Sequence, residues 1–183
     1  MTITALDSTT ALIVIDLQAG TLGGPTAHPA EEIVERAAEL LAAFREHELL
    51  VVLANVNGTP AGRTEYGAGA REFPAAFSAL VPGLDQQPTD VTVTRATWSA
   101  FAGTDLDAVL TERGITQIVL AGIATSLGVE STARDAYDRG YTVTLAVDAI
   151  TDRSADAHTT SVVGVFPALG QCGTVAEVIA LLA

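Results

Sequence analysis

Lysine is absent: all nine basic residues are Arg, set against 22 carboxylates, for a formal net charge of −13. Such an acidic chain repels phosphate backbones, which argues against nucleic acid as a partner. It also has no basic amphipathic stretch, so no segment reads as a helix lying on a membrane surface. No apolar run reaches the length of a bilayer-spanning helix. The N-terminal MTITALDSTTALIVID carries no basic residue ahead of its apolar run, which therefore reads as a buried first strand rather than an export signal. A lone cysteine, Cys172, excludes an intrachain disulfide and a multi-cysteine metal site. No His/Asp pair has metal-ligand spacing, and Gly122 to Gly128 lacks the Lys of a phosphate loop, so neither metal nor cofactor is expected. These absences point to a cytoplasmic protein that meets neither nucleic acid nor membrane.

What is present is apolar. At 49% hydrophobic content, 183 residues can fill a sizeable core, and the expectation is one domain over 1–183. Residues 11–16 (ALIVID) form an apolar run ending in a carboxylate. A helix is expected from His28-Pro29 to about His47, where Ile33, Ala37, Leu40 and Phe44 make one face. Further strands are read at 50–56, 91–95, 116–121, 141–147 and near 170–173. Helices are read from Thr104 to Arg113, over 126–139, over 154–166 and over 174–182, the last opened by a Thr174/Glu177 capping box. Residues 57–89 are rich in Gly and Pro, with a short helix plausible near 73–80, and a connection of that length is usually functional or disordered. Alternating strands and helices imply right-handed crossovers and an α/β fold whose parallel sheet is covered on both faces.

In such a sheet ligands bind outside the carboxyl ends of the strands, near the switch in strand order. That rule selects Asp16, the stretch Arg95–Phe101 and the stretch Gly122–Gly128. Asp16 is either a turn carboxylate or one whose pKa is raised by apolar surroundings. Arg95 is either a solvated strand-end cation or, beside the sole tryptophan Trp98, half of a site for a flat carboxylate. Its pKa excludes proton transfer, so its role would be positioning and charge stabilisation. The small residues after Gly122 let a ligand approach the backbone of a helix N-terminus, or simply cap the helix through Thr125 or Ser126. Ser126, Ser131 and Thr132 are nominal nucleophiles but need a base. His28, His47 and His158 are all read as lying away from the active edge, which disfavours a Ser-His-Asp arrangement. Cys172 reads as a small core residue.

Three stretches together resemble the isochorismatase-like (cysteine hydrolase) superfamily over nearly the whole chain. They are Val14-Ile15-Asp16-Leu17-Gln18, Thr94-Arg95 with Ser99-Ala100-Phe101 and Thr104-Asp105-Leu106, and Leu120 to Thr125 continuing through Val129 to Tyr137. The resemblance implies a three-layer, doubly wound, Rossmann-like fold with a mainly parallel sheet of about six strands. In amidase members an Asp, a Lys and a Cys hydrolyse C–N bonds through a thioester. Here Asp16 matches the Asp, Arg95 stands where the Lys belongs and Gly128 where the Cys belongs. The resemblance further implies a cis Ile123-Ala124 peptide, with the Ala124 and Gly128 amides forming an anion pocket. Members that cleave vinyl ethers also accept Gly at the Cys position and use the Asp as a general acid.

The leading expectation is therefore a hydrolase acting on a small carboxylated or cyclic metabolite by non-covalent acid–base chemistry. Asp16 would be the acid or base, Arg95 the anion anchor and Gly128 part of the oxyanion site. Gln18, Asn55, Trp98, Ala124 and Thr125 would contact substrate, and Asn57 and the 58–72 loop would cover it. A degenerate member that binds a metabolite or assists assembly is the alternative, and a hydrolase using Ser126 or another hydroxyl is a third. Family members are commonly oligomers, so a homo-oligomer, dimer or higher, is expected.

Overall fold

The computed structural model describes residues 3–182. Its frame is a sheet of six strands: β1 (Thr10–Ile15), β2 (Leu50–Val56), β3 (Val91–Arg95), β4 (Gln117–Ile123), β5 (Thr142–Thr151) and β6 (Gln171–Gly173). Every neighbouring pair is parallel, and the spatial order is β3-β2-β1-β4-β5-β6. Order reverses between β1 and β4, so the crevice at their carboxyl ends is where this topology places a ligand. β1 is buried along its whole length, as a central strand covered on both faces must be.

Side chains alternate between two cores. Leu12 and Val14 point to the layer made by α1 (Ala30–Glu46), which contributes Ile33, Ala37, Leu40, Leu41 and Phe44, and by α5 (Val175–Ala180). Ala11, Ile13 and Ile15 point to the opposite layer, with Leu106 and Leu110 of α2 (Leu106–Glu112), Ala133 and Ala136 of α3 (Glu130–Asp138), and Phe166. Between α3 and α5 the chain also forms α4 (Ala155–Thr160).

Several local expectations need correction. β5 does not stop at 147. Leu120 faces Leu145 but Gly122 faces Ile150, so a bulge carries the strand on to Thr151, and the polar Asp148 inside it masked the continuation. The helix expected over 126–139 is a π-type turn, Thr125–Val129, leading into α3. The one expected over 154–166 is α4, a second π-type turn at Ser161–Val165 and a short helix at Phe166–Leu169. Thr104 does not open α2 as its N-cap residue. Its hydroxyl accepts the Leu106 N–H at 3.3 Å and donates to the Ala100 carbonyl at 2.6 Å. Residues 57–89 are ordered by two small antiparallel pairs, Gly58–Thr59 with Arg71–Glu72 and Arg63–Thr64 with Gly67–Ala68, and by a single helical turn at Ala75–Ser78. The capping box is present, with Thr174 Oγ1 accepting from the Glu177 N–H and Glu177 Oε2 accepting from the Thr174 N–H.

Candidate active site at the sheet switch point

β1 delivers Asp16 to the crevice in an unusual backbone conformation. Its φ is 51°, in the left-handed region that Asp tolerates better than branched residues. The turn is fixed on all sides. The Asp16 N–H donates to the Ala54 carbonyl, and the Asp16 carbonyl accepts from the Gln18 N–H and the Thr21 hydroxyl. From the end of β3, Arg95 reaches the same point. Its Nη1 donates to Asp16 Oδ1 at 2.6 Å and its Nη2 to Oδ2 at 2.9 Å, a two-pronged pair between residues 3% and 7% exposed. Nε and Nη2 also donate to the Trp98 carbonyl at 3.2 and 2.9 Å. Burial pushes the Asp16 carboxyl above its ordinary pKa, and the hydrogen bonds and charge of Arg95 pull it part of the way back.

β4 supplies the opposite wall. Gly122 has φ 119°, and a Cβ there would lie 2.0 Å from the Ile15 carbonyl oxygen, so only glycine lets β1 and β4 approach this closely. The Ile123-Ala124 peptide is cis. Gly128 follows in the π-type turn. A Cβ at that position would sit 3.0 Å from Ile15 Cγ2, 3.2 Å from Asp16 Oδ2 and 3.3 Å from Arg95 Nη2. Position 128 thus abuts the acid–guanidinium pair directly.

These walls enclose a cavity of about 190 Å³ that Asp16, Ala124, Gly128 and Trp98 all line. Trp98 stands at its rim, 61% exposed. The remaining expected contacts lie elsewhere, each for a physical reason. Arg95 is behind Asp16 rather than on the wall, its guanidinium spent on the carboxylate and the Trp98 carbonyl, so it is not a free anion anchor. Gln18 is fully buried. Its amide donates to the Val56 and Phe77 carbonyls and accepts from the Val56 N–H, stitching β1's end to β2. Asn55 donates to the Ser78 carbonyl, fastening the same loop, and does not line the cavity. Thr125 is buried and hydrogen-bonded to His158 Nδ1 at 2.8 Å.

That last contact corrects the reading of the histidines. His28 and His158 meet edge to face, 4.6 Å between ring centroids, beside the carboxyl ends of β4 and β5. His28 Nδ1 lies 3.1 Å from Thr151 Oγ1. Burial and the neighbouring His28 lower the His158 pKa, with Asp152 acting in the opposite sense. Ser126, the nominal nucleophile, directs both its N–H and its hydroxyl at Asp152 Oδ2, each at 2.8 Å, and does not line the cavity. Cys172 is buried in β6, where burial pushes its thiol pKa up. Arg153, Phe73 and Thr21 line the cavity without having been singled out from the sequence, and Leu127 lines it from within the selected Gly122–Gly128 stretch. Among the described residues no cluster of His, Cys, Asp or Glu could hold a metal ion. Among them, too, no helix is long and apolar enough to cross a membrane.

Comparison with known proteins is consistent over most of the chain. Residues 10–177 match the family model of an isochorismatase domain. The chain is 39% identical over 181 residues to the uncharacterized isochorismatase family protein YecD of Escherichia coli O157:H7, covering 93% of this chain and 95% of that one. It is 31% identical over 159 residues to a maleamate amidohydrolase of Pseudomonas putida, covering 81% and 75%. Among solved structures, an isochorismatase family protein from Burkholderia thailandensis superposes with a TM-score of 0.92 at 43% identity, over 97% of each chain.

Proposed function

The chain belongs to the isochorismatase family, whose members are hydrolases, and from that membership we propose that it hydrolyses a small carboxylated or cyclic metabolite without a covalent intermediate. The observation that carries this reading is the pairing of Asp16 with Gly128. A carboxyl of raised pKa faces the cavity, and the neighbouring position has no side chain that could attack. Asp16 then acts as the acid. On a vinyl ether its proton goes to the enol carbon, and water adds to the resulting oxocarbenium carbon. The hemiketal breaks into ketone and alcohol, and the proton released by water restores the acid. Arg95 positions the carboxyl and stabilises the carboxylate that forms as the proton leaves.

Turnover of isochorismate and of maleamate by wild type and Asp16→Asn tests the proposal. Loss of a general acid is expected to lower the rate about 100-fold or more. Wild-type turnover should fall as pH rises through the raised Asp16 pKa, because the acid form is the active one. Full activity in Asp16→Asn would overturn the acid role.

One observation favours a second reading, that of a metabolite-binding protein without turnover. Both Asp16 oxygens accept from Arg95, the arrangement of a structural ion pair. Saturable binding without product, unchanged in Asp16→Ala, would establish it.

A further inference from the structure

Residues 96–105 form neither helix nor strand, yet they hold the site together. The Trp98 carbonyl accepts from Arg95 Nε and Nη2, at 3.2 and 2.9 Å, and so fixes where the guanidinium meets Asp16. A carbonyl in an irregular segment can hold a cation in place only if the segment itself is held. Two hydrogen bonds to α3 do this. The Ala100 N–H donates to Thr132 Oγ1 at 3.0 Å, and Ser99 Oγ donates to Asp135 Oδ2 at 2.6 Å. Ala100 and Thr132 are both fully buried. Asp135 is braced in turn, its Oδ1 accepting from Arg139 Nε at 3.2 Å.

Thr132 was a nominal nucleophile by sequence, but its hydroxyl donates its one proton to the Gly128 carbonyl at 2.7 Å. A carbonyl is no base for that proton, so the hydroxyl is not activated for attack. Threonine in a helix often turns its hydroxyl back on the carbonyl four residues earlier. Here the same oxygen also accepts an N–H from outside the helix. One hydroxyl therefore ties two walls of the site together. On one side is the Trp98–Phe101 segment that seats Arg95, and on the other the π-type turn whose Gly128 abuts the ion pair. The helix that carries it is firmly packed, with Ala133 and Ala136 buried beside Thr132.

We propose that Thr132 is a positioning residue of the site: through its one hydroxyl, with Asp135 as a second tether, α3 sets the pose in which Arg95 meets Asp16 and Gly128. Cutting the tether lets the guanidinium drift from the carboxyl. Among the described residues Arg95 is the charged group that acts on this carboxyl, so its retreat raises the Asp16 pKa further. The consequence for turnover rests on the acid role of Asp16. The geometry itself can be measured without a substrate, so either idea can fail while the other stands.

The test is a carboxyl-carbon NMR titration of Asp16, its resonance identified with Asp16→Asn, together with solvent exchange of the Arg95 Nε–H. Thr132→Val swaps the hydroxyl for a methyl group of similar size. In it the Asp16 midpoint should rise, and the Arg95 Nε–H should exchange about tenfold faster or more. Thr132→Ser restores the hydroxyl and should return both readings to wild type. Ser99→Ala removes the second tether and should move both the same way, but less. Thr144→Val removes a buried hydroxyl from β5, where it accepts from Gln117 Nε2 at 3.0 Å, and should move neither. Wild-type readings in Thr132→Val would overturn the proposal, as would equal shifts in Thr132→Ser or in Thr144→Val. If Thr132→Val does not fold, wild-type readings in Ser99→Ala overturn it instead.

Discussion

Two aspartates lie buried at strand ends on the same edge of the sheet, and they are satisfied in opposite ways. Asp16, after β1, faces a permanent cation through two charge-assisted hydrogen bonds. Asp152, after β5, is only 4% exposed but is surrounded by neutral donors: the Ser126 amide and hydroxyl and the Ser154 amide. A buried ion pair contributes little net stability when intact yet leaves an uncompensated charge when one partner goes. A carboxylate held by several neutral hydrogen bonds loses only those bonds. The contrast separates their tasks as well, since Asp16 lines the cavity and Asp152 does not.

The largest expected effect breaks the first of these. Arg95→Met should cost about 3–5 kcal/mol in denaturant unfolding, because Asp16 is left buried without its cation. Asp16→Asn combined with Arg95→Met should recover a large part of that loss, since no charge then remains unpaired. A double variant as unstable as Arg95→Met alone would show that the guanidinium matters for packing rather than for charge. The second aspartate should respond more gently. Asp152→Ala is expected to cost about 1–3 kcal/mol, the range for losing hydrogen bonds to a buried acceptor. An equal loss in both experiments would erase the distinction between the two sites.

The two regions also differed in how far they could be read from sequence. Asp16, Arg95 and the Gly122–Gly128 stretch follow directly from apolar runs that end at the carboxyl edge, because a parallel sheet puts such ends together, while Gly128 itself was singled out by the family resemblance. Asp152 and Arg153 escaped because β5 bulges. The strand resumes at Ala149-Ile150-Thr151 after Asp148, and a polar residue inside an apolar run reads as its end. That short apolar triplet followed by Asp-Arg was the available signal. His28 and His158 escaped for a related reason: each belongs to a different connection, and only the lengthened β5 draws them within 4.6 Å. Gln18 and Asn55 were misassigned in the other direction. A polar residue at a strand end looks like a ligand contact until its amide is seen to be bonded to backbone.

The histidine pair sharpens the comparison through pH. The folded-state pKa of His158 is lowered from 6.5, with burial as the largest cause and His28 the next. The unfolded chain therefore binds the proton first as pH falls. Stability from this group is fully present above about 6.5 and is lost progressively as pH drops from there toward the folded-state value. Asp152, facing the same ring, works against the loss. His158→Gln should flatten this part of the stability–pH curve, while Asp16→Asn should leave it in place. An unchanged slope in His158→Gln would mean that another group carries it.

The smallest change in stability should come from adding one carbon at the active edge. Gly128→Ala places a Cβ 3.0 Å from Ile15 Cγ2, 3.2 Å from Asp16 Oδ2 and 3.3 Å from Arg95 Nη2. These contacts are tight, and their partners cannot swing away, since Arg95 is held by the Trp98 carbonyl and Ile15 lies in the central strand. Against that crowding, alanine gains about 1 kcal/mol over glycine in helical backbone, so the net shift should stay within about 1 kcal/mol. Access to Asp16 Oδ2 from the cavity is what the methyl group removes. Turnover of an identified substrate should therefore fall at least tenfold while the unfolding midpoint barely moves. If instead Gly128→Ala keeps full turnover, the open face of the carboxyl is not where the proton leaves, and Asp16 belongs with Asp152 as a structural acid.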